Sequence, residues 1–555
     1  MIQGCGSDVG KSVLVAGLCR LFARRGISVR PFKSQNMSNN AAVTSGGGEI
    51  GRAQALQAQA CYTKPTVDMN PVLLKPQSEF GAQLIVRGKM VGTLDASAHG
   101  RDKRALLDVA VESYRRLARD AQLMIVEGAG SPAETNLRKN DIANMGLAQA
   151  LGLPVVLVGD INRGHVIAAL AGAHVVLDAA DRAMIRGFIV NKFRGNPQLF
   201  EDGVRRIAEH TGWPSIGVVP WLEAAGRLPS EDGMQLESRH ASQSPRSRVK
   251  IAVPQLSRIA NFDDFDPLRE EPDIELVFVP PGQPLPADAA LILIPGTKST
   301  IADMEFMRSQ GWDIDVLSHV RQGGRVLGVC GGYQMLGRTI SDPDGIEGQP
   351  RTVRGLGLLD VDTVMTGDKT LREVSGVLLG VHVRPGVGGA EDAEARAEGA
   401  EARAEDTDAR AERLGAGAFP GPGVDAGRAD ISAERVCVGA GRMDASDEGA
   451  GVGGVPFTGY EMHIGSTTGP GAGRPFLQFS DGSTDGAVSS DSRVAGCYVH
   501  GLFGLTAARA ALVSAIGAAP SHADHAARVD AALDEIASVL ESCLDINALA
   551  AIAGL

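Results

Sequence analysis

Residues 325–338 read RVLGVCGGYQMLGR, with one cysteine, Cys330, set between a β-branched run and a pair of glycines. A strand that delivers a cysteine into a tight turn before a helix is the arrangement of a nucleophile elbow, and a helix N-terminus favours the thiolate. Such a nucleophile needs a base, and GCYVHGLF (496–503) places His500 at the end of another β-rich run. Taken singly, Cys330 reads better as a buried structural cysteine and His500 as a satisfied histidine than as catalytic groups. At two strand ends of one domain they read as a catalytic pair.

A second constellation opens the chain. GCGSDVGKSVLVAGLCRLFARRG (4–26) joins a glycine-rich turn to Lys11, Ser12 and an amphipathic helix. Backbone N–H groups around Gly4, Gly6, Ser7, Asp8 and Gly10 can cradle phosphates, Lys11 reaches the β/γ phosphates, and Ser12 can hold Mg²⁺. The spacing departs from GxxxxGK[ST], because Cys5 stands where the first glycine belongs. LMIVEGAG (123–130) ends a hydrophobic strand in Glu127, a second oxygen ligand for Mg²⁺ or a solvated strand-end carboxylate. Asn191, in FIVNKFRG, is a candidate for the adenine edge or a turn former. Only Met1, Ile2 and Gln3 precede the loop, so the feeding strand is expected to be a stub, or the true start to lie upstream.

The elements that must position these groups are strands alternating with helices. ISVRPFK, LMIVEGAG, PVVLVGDI and GFIVNKF in the first half, and VKIAVPQL, IELVFVP, ALILIPGTKST and GGRVLGVCGG in the second, are β-branched runs ending in turns. This is the pattern of two α/β domains with parallel sheets. The expected organisation is a domain over 1–236, a polar linker over 237–248, a second domain over 249–520, and a C-terminal helix within 521–555 docked on the second domain. Residues 387–455, an Ala/Glu/Arg/Gly repetition almost without large apolar side chains, read as a disordered insertion between two strands.

Composition narrows the function classes. The 555 residues exceed one hydrophobic core, and an apolar fraction of 44 % with only 4 % aromatics suits aliphatic α/β domains. A formal charge of −12, without a long basic tract, argues against nucleic acid as a partner. No signal peptide or membrane-spanning run is expected. Seven cysteines without CxxC spacing point to neither a disulfide framework nor a zinc site, hence to a reducing cytoplasm.

Ordered along the chain, GSDVGKSVLVAGLCR, PFKSQNMSNNA, GGEIGRAQALQAQA, VDMNPVLLKPQ, VEGAGSPAE, DIANMGLAQA, NFDDFDPL, GVCGGYQMLG, GYEMHIGST and GCYVHGLF resemble the cobyric acid synthase family of glutamine-dependent amidotransferases. FKSQNM favours that family over the related cobyrinic acid a,c-diamide synthases. The resemblance implies a dethiobiotin-synthetase-like P-loop domain followed by a class I glutamine amidotransferase domain. It implies ATP-dependent conversion of the b, d, e and g carboxylates of adenosylcobyrinic acid a,c-diamide to amides, through an acyl phosphate, with L-glutamine as nitrogen donor. Cys330 would then attack the glutamine amide with His500 as base. The Gly331 N–H and backbone near Gly296 would form the oxyanion hole, and Gln334 would contact glutamine. Leu502 stands where class I enzymes often carry a glutamate, so a Cys-His dyad is expected unless a carboxylate arrives from elsewhere. Asn162 and His165 also depart from the family pattern, and His463 of GYEMHIGST reads either as a contact for substrate carboxylates or as a strand-end cap. Two other readings fit the P-loop half: an amidotransferase with another acceptor such as cobyrinic acid, or a partition-type ATPase with an inactive appendage.

Overall fold

The computed structural model describes residues 1–76, 81–95, 103–229, 248–379 and 454–555. Most of the expected linker (237–248) and nearly all of the expected insertion (387–455) lie outside the described residues.

The N-terminal half is built on parallel strands whose Val/Ile runs are buried on both faces, as strands flanked by helices require. β1 (Ile2–Gly4) is indeed short, and it feeds the loop before α1 (Lys11–Arg24). β2 (Val29–Phe32) leads to a side layer of β3 (Gln35–Met37), the hairpin β4 (Ala41–Val43) and β5 (Glu49–Gly51), α2 (Arg52–Ala60), and the strands β6 (Val72–Pro76), β7 (Gly81–Val86) and β8 (Lys89–Asp95). The main sheet resumes with β9 (Leu123–Val126), β10 (Val155–Asp160), β11 (Ile185–Phe193) and β12 (Ser215–Pro220). β1 pairs with β10 on one side and bridges to Glu127, just beyond β9, on the other. The loop after β1 and the carboxylate after β9 therefore emerge side by side at the carboxyl edge, the place where open parallel sheets bind ligands.

The C-terminal half repeats the logic. β13 (Val249–Pro254), β14 (Ile274–Val279), β15 (Leu291–Ile294) and β16 (Arg325–Val329) are parallel, and Cys330 follows β16 directly. A second sheet contains β17 (Thr339–Asp342), β18 (Arg351–Arg354) and the long hairpin β19 (Asp362–Leu378) and β20 (Val455–Thr468), with β21 (Leu477–Phe479) and β22 (Thr484–Asp485) on its flank. β23 (Ala487–Val488) and β24 (Val494–Cys497) then complete the first sheet, and β25 (Val499–His500) joins the second against β20. Leu378 pairs with Val455, so the expected insertion runs between two paired strands, and Val455 itself belongs to β20 rather than to the insertion.

One expectation is corrected. The C-terminal helix His525–Cys543 buries the predicted face, Val529, Leu533, Ile536 and Leu540, but that face packs on α1 of the first half, while His525 and Arg528 at its start touch the second domain, at Glu270. Periodicity identifies which face is buried, not what covers it. The fit is close: a Cβ on Gly17 of α1 would lie 2.6 Å from both Ile536 and Leu540 side chains. Arg20, buried in α1, pairs with Asp530, and Arg25 with Glu541 at 2.6 Å. No helix among the described residues is long and apolar enough to cross a membrane.

Truncating Leu540, fully buried against α1, to alanine removes its packing and leaves a cavity. We expect a loss of about 2–5 kcal/mol of stability, read as a lower midpoint of thermal unfolding, with reduced nucleotide-dependent activity accompanying it.

Candidate active site

Cys330 sits at the strand–helix junction with φ 53° and ψ −111°, the only described residue of the elbow in the left-handed half of φ space. A non-glycine residue held there is strained, and such strain concentrates at functional positions. The turn closes because Gly332 can approach β15: a Cβ there would lie 2.1 Å from the Ile294 carbonyl oxygen. Gly331 starts the helix Gly331–Leu336, so its N–H has no intrahelical acceptor, and its Cα side faces Thr297. Gly296 lies between the two expected catalytic groups: a Cβ on it would stand 2.9 Å from His500 Cε1 and 3.6 Å from Cys330 Cβ. Cys330, His500, Gly331 and Gly296 are thus brought together.

A carboxylate from elsewhere in the chain meets the expected Cys-His pair. His500 Nδ1 lies 2.5 Å from Asp264 Oδ2, and Asp264 Oδ1 accepts from the Gly501 N–H at 3.0 Å. The carboxylate comes from the loop after β13, far from the histidine in sequence, which is why the position of Leu502 gave no sign of it. Leu502 itself is buried in the core. Asp264 stands in NFDDFDPL among three aspartates, and no local spacing there singles it out. Burial pushes His500 down, but Asp264 and the charge on Cys330, which also hydrogen-bonds the ring, outweigh it and hold the imidazole up at about 10. A carboxylate on Nδ1 fixes the ring so that Nε2 faces the sulfur, the arrangement that lets one histidine take and return a proton. Tyr460 stacks on the ring at 5.4 Å between centroids.

Gln334 lines the cavity over Cys330, where it was expected to meet glutamine. Its Oε1 accepts from Thr300 Oγ1 at 2.9 Å, and its Nε2 donates to the Ile464 carbonyl at 3.0 Å and Tyr498 Oη at 3.1 Å. These bonds fix the amide in the wall beside Cys330. The cavity over Cys330 is also lined by Thr297, Lys298, His463, Lys369 and, from the N-terminal half, Gln83. Its free volume is about 40 Å³, enough for a few waters, so the lining must part to admit a larger molecule. His463 stacks on Tyr498 at 3.7 Å and faces this cavity with Nδ1 buried and unpartnered, which is not a strand-end cap.

The cavity lies at a seam between halves. Glu49, buried in the β4–β5 hairpin, accepts from Lys75 of β6 at 2.5 Å and from Lys369 of β19. Burial and the Lys75 and Lys369 charges push Lys298 well below its ordinary value, against the opposing pull of Glu49 and Cys330. Ala41, Val43, Leu73 and Ile85 of the first half pack with Met462, Leu371 and Tyr460 of the second.

At the other site, Lys11 curls over the glycine-rich loop, donating to the Gly6 carbonyl at 2.8 Å and the Gly130 carbonyl at 3.2 Å. Gly10, at φ 90°, and Asp8, at φ 56°, shape the loop. Ser12 Oγ donates to Glu127 Oε1 at 2.8 Å, as the two expected metal ligands should meet. Two residues that sequence reasoning missed converge on the same carboxylate: Lys33 Nζ at 2.8 Å from Oε1, and Gln57 Nε2 at 2.6 Å from Oε2. Lys33 lies within FKSQNM and Gln57 within the quoted GGEIGRAQALQAQA stretch, both without spacing that announces a role. Asn191 Nδ2 donates to the Val9 carbonyl at 2.8 Å, which places the expected adenine-edge residue directly behind the glycine-rich loop. Asn162 accepts from Arg194 at 2.9 Å, and His165 begins a helix at φ 51°.

Comparison with known proteins agrees with both halves. Residues 1–235 match the CobQ/CobB/MinD/ParA nucleotide binding domain, and residues 250–419 and 407–508 match the CobB/CobQ-like glutamine amidotransferase domain. The chain is 58 % identical to the cobyric acid synthase of Caulobacter sp. (strain K31) over 100 % of this chain and 99 % of that one. It belongs to the cobyric acid synthase family. The cobyric acid synthases of Rhizorhabdus wittichii and Methylorubrum populi are each 52 % identical, over 100 % and 99 % of this chain and 98 % of each of theirs. The molecule is accordingly a glutamine-dependent amidating ligase, with a P-loop-type α/β half and an amidotransferase-type α/β half.

Asp264→Asn keeps the side-chain volume but loses the charge that orients and stabilises a protonated His500. We expect kcat for glutamine hydrolysis to fall at least ~100-fold, with KM little changed, measured by glutamate release. Because His500 is held up at about 10, above an unfolded value near 6.5, the pair's contribution to stability is full below that value. It is lost as pH rises through about 10. The difference in unfolding temperature between the natural protein and Asp264→Asn should shrink over that interval.

Proposed function

We propose that the chain converts the b, d, e and g carboxylates of adenosylcobyrinic acid a,c-diamide to amides, giving adenosylcobyric acid at the expense of Mg-ATP and L-glutamine. The observation that carries this reading is the presence, in a chain of this family, of two complete sites: Cys330–His500–Asp264 in one half and the Lys11–Ser12–Glu127 loop in the other.

A carboxylate resists amines because it would have to expel an oxide. Transfer of the ATP γ-phosphoryl to it gives an acyl phosphate with a good leaving group, which ammonia can attack. Lys11 would balance charge on the transferring group, and the glycine-loop N–H groups would hold the phosphates in line. Ser12 and Glu127 are hard oxygen donors that already meet at 2.8 Å, and phosphate and water would complete a set that suits Mg²⁺. When bound there, Mg²⁺ supplies further charge neutralisation. This half offers no protein nucleophile and needs none.

In the other half Cys330 attacks the glutamine amide carbon, and its tetrahedral oxyanion faces the Gly331 N–H and the backbone beside Gly296. His500, charged in the resting pair, gives its proton to the departing ammonia, leaving a glutamyl thioester. Water activated by the now neutral His500 releases glutamate. Ammonia entering bulk water at neutral pH would become ammonium and lose its nucleophilicity. The seam beside the cavity, built from Gln83 and Lys369 with Glu49 behind, supports release toward the N-terminal half. The six described cysteines are free thiols, which supports the cytoplasmic location expected from sequence.

Incubation of adenosylcobyrinic acid a,c-diamide with the protein, Mg-ATP and glutamine should give a stepwise mass shift of four amidations by mass spectrometry; an unchanged mass would reject the assignment. Cys330→Ala should lose glutamine-dependent amidation yet keep it with ammonium salts, whereas Lys11→Ala should lose both.

A further inference from the structure

α2 begins with Arg52, a cation at a helix N-terminus, where the helix dipole disfavours positive charge. Its guanidinium is turned across the seam: Nε lies 2.8 Å from Asp263 Oδ2, with Asp263 only 3 % exposed. Asp263 precedes the triad carboxylate Asp264 and shares its loop with Asp266. Asp264 spends one oxygen on His500 and the other on the Gly501 N–H, and Asp266 pairs with Arg269 at 2.5 Å. Asp263 Oδ1 is buried without a hydrogen-bond partner, so the Arg52 contact is what compensates this carboxylate. The same loop is gripped once more from the first half, where Asn261 Oδ1 accepts from the Ala41 N–H at 3.1 Å, and Tyr460 of β20, stacked on His500, donates to the Ala41 carbonyl at 3.4 Å. Less than two turns along α2 from Arg52, Gln57 donates to Glu127 at 2.6 Å in the phosphate site.

We propose that Arg52 is a positioning residue for glutamine hydrolysis: from the amide-forming half it neutralises and seats the Asp263–Asp264 pair, so that Asp264 holds His500 against Cys330. α2 then carries, on one rigid element, a contact to each active site, and the glutaminase is competent only while the first half is docked beside it. This rests on the reading of Cys330 and His500 as the glutaminase pair, not on the identity of the corrinoid.

The charged and titratable groups facing the pair are Arg52 from α2, Asp266 on the same loop, Tyr460 from β20, and His500 with Cys330 behind it. Burial raises Asp263 to about 6, opposed by Arg52 and reinforced by Asp264 and Asp266. Without Arg52 the only opposing charge from the first half is gone, and the loop takes up a proton at higher pH.

The test uses the full-length protein and glutamate release, which needs no corrinoid. Arg52→Gln should lower kcat at least about tenfold with KM for glutamine little changed, and should move the acid limb of the kcat–pH profile upward by about one unit. Arg52→Lys, which keeps the charge without the fork, should recover part of the loss and most of the pH shift. Asp263→Asn in the Arg52→Gln background, which removes the buried charge needing compensation, should restore kcat to within about threefold of the natural protein. Ammonium-dependent amidation should fall less than hydrolysis in Arg52→Gln. An unchanged kcat and pH profile, a loss in both activities alike, or no rescue by Asp263→Asn would overturn the inference. Absence of glutamate release from the natural protein would instead reject the glutaminase reading beneath it.

Discussion

The contact between Asp264 and His500 is the interaction around which the second half is arranged. A histidine 1 % exposed could not stay protonated without a carboxylate on its ring. The loop that carries this carboxylate is held by donors from several sides. The Gly501 N–H meets one oxygen, the Asn261 side chain ties the loop to β4, and Arg52 answers the adjacent Asp263. Each of these supports comes from a different part of the chain. The catalytic geometry is therefore a property of the assembled protein rather than of the cysteine elbow.

The phosphate site follows the same rule with a different centre. Glu127 is almost completely buried and receives Ser12, Lys33 and Gln57 from three separate segments. A buried carboxylate bound by two amine or amide donors and a hydroxyl is preorganised, so little reorganisation is left for whatever charge develops beside it. Between the two centres lies a third buried carboxylate, Glu49, held by Lys75 from one half and Lys369 from the other. Breaking such a buried pair leaves an uncompensated charge, which makes separation of the halves costly at the wall of the cysteine cavity.

What was legible in the sequence divides by range. The elbow at Cys330, the loop at Lys11 and the alternation of strands and helices are written in contiguous residues, and the structure reproduces them. His500 was legible because it ends a β-rich run and a cysteine needs a base. Asp264 was not, because nothing local distinguishes an aspartate that meets a distant histidine from one that caps a short helix. Asn191 and Gln334 were legible by type alone, and what the fold adds is their anchoring: their amides donate to Val9, and to Ile464 and Tyr498. Periodicity gave the buried face of the helix His525–Cys543 correctly and its partner wrongly, since an apolar stripe records only that something covers it.

That helix has a consequence for how the chain is made. α1 carries Lys11 and Ser12 at its start, yet its outer apolar face is closed by residues from the far end of the chain. During synthesis the nucleotide-binding half is the first to emerge and the last to receive its cover, because the whole amidotransferase half must appear before Ile536 and Leu540 can dock against Gly17. The half that would spend ATP thus matures after the half that supplies ammonia. A nascent chain cut short before His525–Cys543 would leave α1 with an exposed greasy flank, a surface that chaperones and proteases recognise.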